Sequence, residues 1–380
     1  MPAIATPIKP ALIRWAVGRT GKTVPDLAKG LSVKEEQVNE WLNGEKQIPL
    51  AKAQQLAESA LVPLPLLYLP QVPNTTPKLA DFRTTGNKSL QRPSPELEAT
   101  IRMAEVRQAW YRDYLVFNGH EPLKLVGSVK RNAKADEAAA QICKTLGLYP
   151  GFTVDAHDAR DAVRIFLEHL DSAGILVMRN GILGNNTRRP LDPNEFRGFA
   201  LADEYAPLVF INTADAQSAQ LFTIAHEVVH IFQGARGVSG QTADNDAERF
   251  CNRVAAEILA PSALVMEKWR KAKGNVQDRI SALATAFHLS LQAMLLCART
   301  LDLLTADQFQ TIWTHATAIL DVHKGGGNFY VILKNRVCPS FARAVIIDTQ
   351  NGRTPYLEAF KLLSVKNRQA MEQLLGEVGV

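Results

Sequence analysis

Three side chains that share one helical turn, His226, Glu227 and His230, stand in the run HEVVH. On a helix, positions i and i+4 lie on one face about one turn apart, so both imidazoles can reach a single ion. Neutral imidazoles at that spacing suit zinc. Glu227 projects beside such an ion, where a carboxylate can take a proton from an activated water and later deliver one to a leaving amine. The chemistry indicated is hydrolysis of an amide bond.

The flanks supply the helix. Asn212 to Ala216 carries start signals, and from Ala219 the apolar residues Leu221, Phe222, Ile224, Val228, Val229 and Ile231 recur at helical spacing until Gly234 ends the run. A helix this apolar is a buried one, and a buried Glu between two buried His requires a compensating partner, because unpaired buried charge costs several kcal/mol. A metal ion is such a partner. A catalytic zinc takes three protein ligands and leaves one position open, so a third ligand is needed. Glu248 offers it, in the first turn of a second helix expected from about Ala247 to Ala260, opened by Asp244 and Asp246 and stopped by Pro261. Asn252, one turn later on the same face, suits a hydrogen bond to a ligand from behind. Taken alone, Glu248 reads more readily as a carboxylate favoured by the helix dipole; following a buried HEVVH helix, the ligand reading prevails.

FTIAHEVVH, then Glu248-Arg-Phe-Cys-Asn252, then Val254-Ala-Ala-Glu-Ile-Leu-Ala-Pro261 together resemble the ImmA/IrrE family of zinc metallopeptidases, whose pattern is FTxAHExxH followed by ExxAN and FAAxLLMP. The resemblance implies zinc ligands at His226, His230 and Glu248 and a catalytic glutamate at Glu227. Cys251 stands where the pattern has Ala, Val254 where it has Phe and Ala260 where it has Met; none of these is a ligand. Tyr205 is a candidate donor to the oxyanion. His, His, Glu ligation admits manganese as well as zinc.

The chain has 380 residues, of which 46% are hydrophobic and 21% charged, with a net charge of +5. That is a globular composition with room for two or three domains, and its modest basic excess permits an acidic partner without requiring one. Four cysteines, Cys143, Cys251, Cys297 and Cys338, lack CxxC spacing and read as reduced core residues of a cytoplasmic protein. No apolar run reaches transmembrane length and no export signal is evident, so no membrane association is expected.

Residues 1–70 read as a helical unit: Ala11 to Arg19, a second helix capped by Thr23, a third capped by Ser32 and running from Val33 to Asn43, and a fourth from Pro49 to Ala60. The order LAxxLxVxxxxVxxWLNGxxxIP resembles the Cro/C1-type helix-turn-helix domain. That resemblance places Lys34, Glu35, Glu36 and Glu40 on the recognition surface. Carboxylates facing phosphate-lined DNA are repelled, so recognition of a protein stands beside recognition of DNA. Residues 71–95 are a Pro, Thr and Ser-rich linker with a KLADFRTT element around Phe82 and Arg83.

From residue 96 to 310 the resemblance to the ImmA/IrrE family implies a peptidase domain. A long helix from Glu96 to Asn118 carries Ile101, Val106, Trp110, Tyr114 and Leu115 inward, and helices follow at about Ala135 to Leu146 and Ala159 to Ser172. Strands are expected at ILVM after Gly174, at Phe196 to Leu201 and at Pro207 to Ile211, with a loop from Asn180 to Glu195. The run from Ile280 to Leu304 has the spacing of a second helix-turn-helix-like pair, with Ser290 as cap and His288 as a satisfied core residue. Residues 311–380 are expected to form an α/β region: strands at Asn328 to Leu333, after Gly325 to Gly327, and at Phe341 to Asp348, then a helix from Pro355 to Leu363 and a last one capped by Ser364.

The expected fold is therefore α+β and mostly helical: an N-terminal helix-turn-helix bundle, a zincin-like peptidase domain with a small sheet, and a small C-terminal region. The expected function is a zinc endopeptidase of narrow specificity, with one ion; the resemblance implies a regulatory protein, commonly a helix-turn-helix repressor, as substrate. Fused proteins of this shape also resemble antitoxin-like partners that neutralise a co-encoded toxin, often a PIN-like nuclease, and a DNA-binding regulator is a third reading.

Overall fold

The computed structural model describes residues 8–73, 93–234, 245–317 and 336–378. Its described residues fall into two compact units, 8–73 with 93–103, and those from 104 onward. The fold is mostly helical with one small mixed sheet, as the sequence indicates.

The first unit is built from α1 (Pro10–Thr20), α2 (Val24–Leu31), α3 (Glu35–Asn43) and α4 (Leu50–Ser59), followed by a 3-10 turn over Leu64–Tyr68. Leu12, Leu27, Val38, Trp41, Ile48 and Leu56 form part of its buried core. Thr23 caps α2 by accepting from the Asp26 amide. Ser32 does not cap α3: it adopts a left-handed conformation (φ 53°), closes α2 through its own amide, and leaves Lys34 at the N-cap of α3. The hydroxyl signal was right about a boundary and wrong about which helix it bounds. Gly44 ends α3 with φ 80°, and a Cβ there would lie 2.7 Å from Pro10 Cγ, so both the backbone angle and the close approach call for glycine. Arg19 of α1 pairs with Glu98 at 2.7 Å, a contact among residues of this unit.

The helix α5 (Pro95–Phe117) has its residues up to Met103 in the first unit and the rest in the second. Its expected apolar stripe is only partly inward: Ile101 is buried, but Val106 is 58% exposed, and Ala104, Arg107 and Tyr111 occupy the buried face instead. A guanidinium on the inner face hides the stripe from a reading that looks for apolar periodicity.

In the second unit, α6 (Ala135–Thr145) and α7 (Ala159–Ser172) precede a three-stranded sheet of order β1-β5-β4. β1 (Leu176–Asn180) pairs in parallel with β5 (Leu208–Asn212), Val177 opposite Val209, and β4 (Gly198–Leu201) pairs antiparallel with β5, Phe199 opposite Phe210. The expected loop from Asn180 to Glu195 contains a two-stranded hairpin, β2 (Ile182–Leu183) with β3 (Asn186–Pro190). β2 is only two half-buried residues long and β3 is polar and mostly exposed, so neither shows the alternation that marks a strand packed on a core.

The core of this unit is α8 (Gln217–Phe232), which packs on α7, β4, β5 and α9 (Asn245–Leu259), while α6 covers the far side of α9. Surrounded in this way, α8 is buried on nearly every face. α10 (Ser262–Lys271), α11 (Val276–Ala286), α12 (Leu291–Thr300) and α13 (Ala306–Thr317) follow. Ser290 caps α12, and α11 and α12 are bent by 111°. Among the described residues no single helix is long and apolar enough to cross a membrane.

The chain closes with α14 (Pro339–Gln350), α15 (Tyr356–Leu363) and α16 (Arg368–Val378). Phe341 to Asp348 is therefore helix, not strand. Its β-branched Val345 and Ile346 suggest a strand, but Phe341, Ala342, Val345, Ile346 and Thr349 are buried together, at helical spacing behind a Pro at N1. Ser364 closes α15 in a left-handed conformation, and the cap of α16 is Asn367, whose side chain accepts from the Ala370 amide. The expected strand at Asn328 to Leu333, Gly325 to Gly327, and the Phe82 and Arg83 element lie outside the described residues.

Arg107 fastens α15 to α5. Its Nε donates to the Leu362 carbonyl and its Nη2 to the Ser364 hydroxyl, both at 2.9 Å, and burial pushes its pKa down to about 10, which still leaves it charged at neutral pH. A cation at a helix C-terminus meets carbonyls that no backbone amide serves. Arg107→Ala removes those bonds and opens a cavity, and is expected to cost about 3 kcal/mol in urea unfolding; a change under about 0.5 kcal/mol would show the contact to be incidental.

Candidate metal centre

β5 runs directly into α8, and the turn between them is fixed by side chains. The buried Asn212 accepts from the Ala214 amide and donates to the Phe196 carbonyl, and Gln220 donates back to the Asp215 carbonyl. This pins the first turn of α8 and so sets the azimuth of His226, Glu227 and His230. His226 and Glu227 are buried, and His230 is mostly so. α9 crosses α8 so that Glu248, in its first turn, meets both imidazoles.

The three ligand atoms converge. His226 Nε2 and His230 Nε2 are 2.9 Å apart, His226 Nε2 is 3.4 Å from one Glu248 oxygen, and His230 Nε2 is 3.3 Å from the other. Among the described residues these three form the group of His, Cys, Asp or Glu side chains able to hold one ion. A tetrahedral ion bonded at about 2.0–2.1 Å sets its ligand atoms about 3.3–3.4 Å apart. The two edges to Glu248, each to a different carboxylate oxygen, have that length, while the 2.9 Å edge between the imidazoles is shorter; the donor set, two imidazoles and a carboxylate, fits a catalytic ion with one position left for a water.

Behind His230 the structure places a thiol that the sequence reading passed over as a neutral replacement. Cys251 Sγ lies 3.7 Å from His230 Nδ1 and donates to Gln233 Oε1 at 3.3 Å. Burial alone lowers the His230 pKa, but hydrogen bonds to Cys251 and Glu248 and the nearby Glu227 charge outweigh it and hold the pKa well above 6.5. A proton on His230 therefore competes with a metal at neutral pH. Without metal, the raised pKa stabilises the fold below an unfolded value of about 6.5, and the effect is lost as pH rises through the higher folded value. Metal affinity is expected to run the other way, rising with pH through that range with release of a proton, measurable by titration in buffers of different ionisation enthalpy. Affinity that is flat with pH would mean that His230 is not a ligand.

β4 touches this site at one glycine. A Cβ on Gly198 would lie 2.8 Å from the Phe210 carbonyl oxygen, 2.8 Å from Thr223 Cγ2 and 3.3 Å from Glu227 Cγ. The strand can approach α8 at Glu227 only because that position has no side chain. Gly198→Ala is expected to lower stability by roughly 1–3 kcal/mol and to reduce turnover, with metal content unchanged. Equal melting temperature and turnover in variant and wild type would remove this reading.

Asn252 is partly buried on α9, one turn beyond Glu248. Tyr205 stands on the turn between β4 and β5, its amide bonded to Asp203 and its ring 5.0 Å from the Arg112 guanidinium. Lys34, Glu35 and Glu36 are exposed at the start of α3, and Glu40 pairs with Lys46 at 2.7 Å. His288 has its Nε2 at 3.0 Å from the Ala156 carbonyl, as a satisfied core residue does, and all four cysteines are buried and free.

Residues 170–297 match the IrrE N-terminal-like domain family, Peptidase_M78. The match spans β1 to α12 and includes all three converging ligands and Glu227. At the level of the family, this match supports a metal-dependent, peptidase-like function for these residues. Residues 339–376, which hold α14 to α16, match a domain of unknown function, DUF8813. No curated protein and no solved structure matches the chain.

Proposed function

We propose that the chain is a zinc-dependent endopeptidase of narrow specificity, with His226, His230 and Glu248 as ligands and Glu227 as the proton-transferring group. The observation that supports it most is the convergence of three ligand atoms beside a buried Glu227, within residues matched by a peptidase family. A bound zinc ion supplies Lewis acidity, which makes a water nucleophilic near neutral pH and polarises a carbonyl. Glu227 then accepts the proton of the attacking water and returns it to the leaving amine.

Among the described residues β4 has no strand beyond it, and its Gly198 end lies against Glu227. An extended peptide added to that edge would pair through its backbone and present a scissile bond near the general base. The substrate class we propose is a regulatory protein that offers such a segment. The exposed carboxylates of Glu35 and Glu36 on α3 favour recognition of protein over the phosphate backbone of DNA.

The test is a pull-down with Glu227→Gln as substrate trap, followed by incubation of the retained protein with wild type and zinc. A retained partner cut by wild type and spared by the variant supports the reading. A partner that stays whole with both, as an antitoxin's toxin would, overturns it.

A further inference from the structure

The face of His230 turned away from Glu248 is occupied. Its Nε2 is 3.3 Å from Glu248, and its Nδ1 is 3.7 Å from Cys251 Sγ. Glu248 and Cys251 stand three apart on α9, so one helix face supplies both neighbours of the ring. The thiol does not stand alone, since it is 3.3 Å from Gln233 Oε1 at the C-cap of α8. Because Sγ lies on the Nδ1 side, it is directed away from the point where the Nε2 atoms and Glu248 meet, and it is not placed as a ligand.

We infer that Cys251 is a positioning residue for the metal site, its thiol held by Gln233 and in turn holding His230 in the tautomer that aims the Nε2 lone pair at the ion. The inference rests on the reading of His226, His230 and Glu248 as ligands. A neutral imidazole carries one N–H and one lone pair, and whatever accepts at one nitrogen decides which form is present. Sulfur accepts weakly and S–H donates weakly, so one thiol can take the Nδ1 proton's hydrogen bond while giving its own to the Gln233 carbonyl oxygen. Cys251 is fully buried. An alanine or valine here would leave Nδ1 facing hydrocarbon, with its N–H unserved and the ring free to turn.

The test compares Cys251→Ala, Cys251→Val and Cys251→Ser in the full chain. Zinc affinity is read by competition with a chromophoric chelator, ligand geometry by the visible spectrum of the cobalt(II) form, and fold integrity by melting of the metal-free protein. Both apolar variants are expected to lose about 10–100-fold in zinc affinity, the range typical of a hydrogen-bond partner behind a metal-bound histidine. They should also alter the cobalt spectrum. Serine, which accepts and donates in the same place, is expected to restore most of the affinity.

A thiol that merely fills space gives the opposite pattern. Valine would then preserve affinity, and alanine would lower only the melting temperature of the metal-free protein; either result overturns the inference. His230→Ala is the control. If it loses zinc while Cys251→Ala and Cys251→Val bind within about two-fold of wild type, the positioning role fails and the metal site stands. If wild type and His230→Ala take up zinc equally, the metal-site reading fails and the inference with it.

Discussion

Glu227→Gln is expected to lower turnover at least about 10³-fold while zinc stays bound with near wild-type affinity, since general acid–base catalysis contributes about 10²–10⁴-fold and this one group serves both proton transfers. The amide is nearly isosteric, and the variant keeps the side-chain volume at a position 5% exposed and packed against Gly198. What it lacks is the basicity to accept a proton. The kinetic signature is a fall in kcat with KM little changed, because the contribution is made in the transition state. A variant retaining more than about a tenth of wild-type turnover would assign the proton transfers to another group.

Glu248→Ala carries the second large effect, and it falls on metal affinity. Each Glu248 oxygen lies 3.3 or 3.4 Å from a different histidine nitrogen, so the carboxylate closes the site. Its removal leaves two imidazoles and no anionic ligand, and zinc affinity is expected to fall by more than about 10²-fold, beyond the loss typical of residues that merely support a ligand. A second readout is independent of turnover. Bound metal stabilises the fold by RT ln(1 + [L]/Kd), about 2.7 kcal/mol at a hundredfold excess over Kd, so zinc should raise the melting temperature of wild type and not of the variant. Glu248→Asp keeps the charge and shortens the reach by one methylene. If it binds like wild type, charge alone closes the site; if it binds like alanine, geometry does.

That His226, His230 and Glu248 come together was legible in the sequence, because a metal-ligand pattern fixes both residue type and spacing and because the apolar residues around His226 and His230 can be accommodated only in a buried helix. The helices of the first unit were readable for a simpler reason, since Thr23, Pro25 and Gly44 punctuate them locally. Where punctuation serves two helices at once, as at Ser32 and Ser364, the residue was assigned to the wrong one. The hairpin of β2 and β3 escaped because its strands bury little, and α14 was misread because β-branched residues were weighed above their spacing. Cys251 and Arg107 were invisible for another reason. One touches His230 across 21 positions and the other Leu362 across 255, and no periodicity within either segment encodes its partner.

β4 is four residues long, and that length bears on selectivity. On the free side of a strand, alternate residues turn their amide and carbonyl outward, so a docked peptide can form on the order of four backbone hydrogen bonds here. At about 0.5–1.5 kcal/mol each, these amount to roughly 2–6 kcal/mol, near the 4.1 kcal/mol that corresponds to millimolar affinity. Backbone pairing at β4 can align a chain that has already arrived but cannot hold one against competitors at cellular concentration. Discrimination among proteins must then come from contacts far from the scissile bond, and a short peptide spanning only the cleaved sequence should be a poor substrate beside the intact protein that contains it.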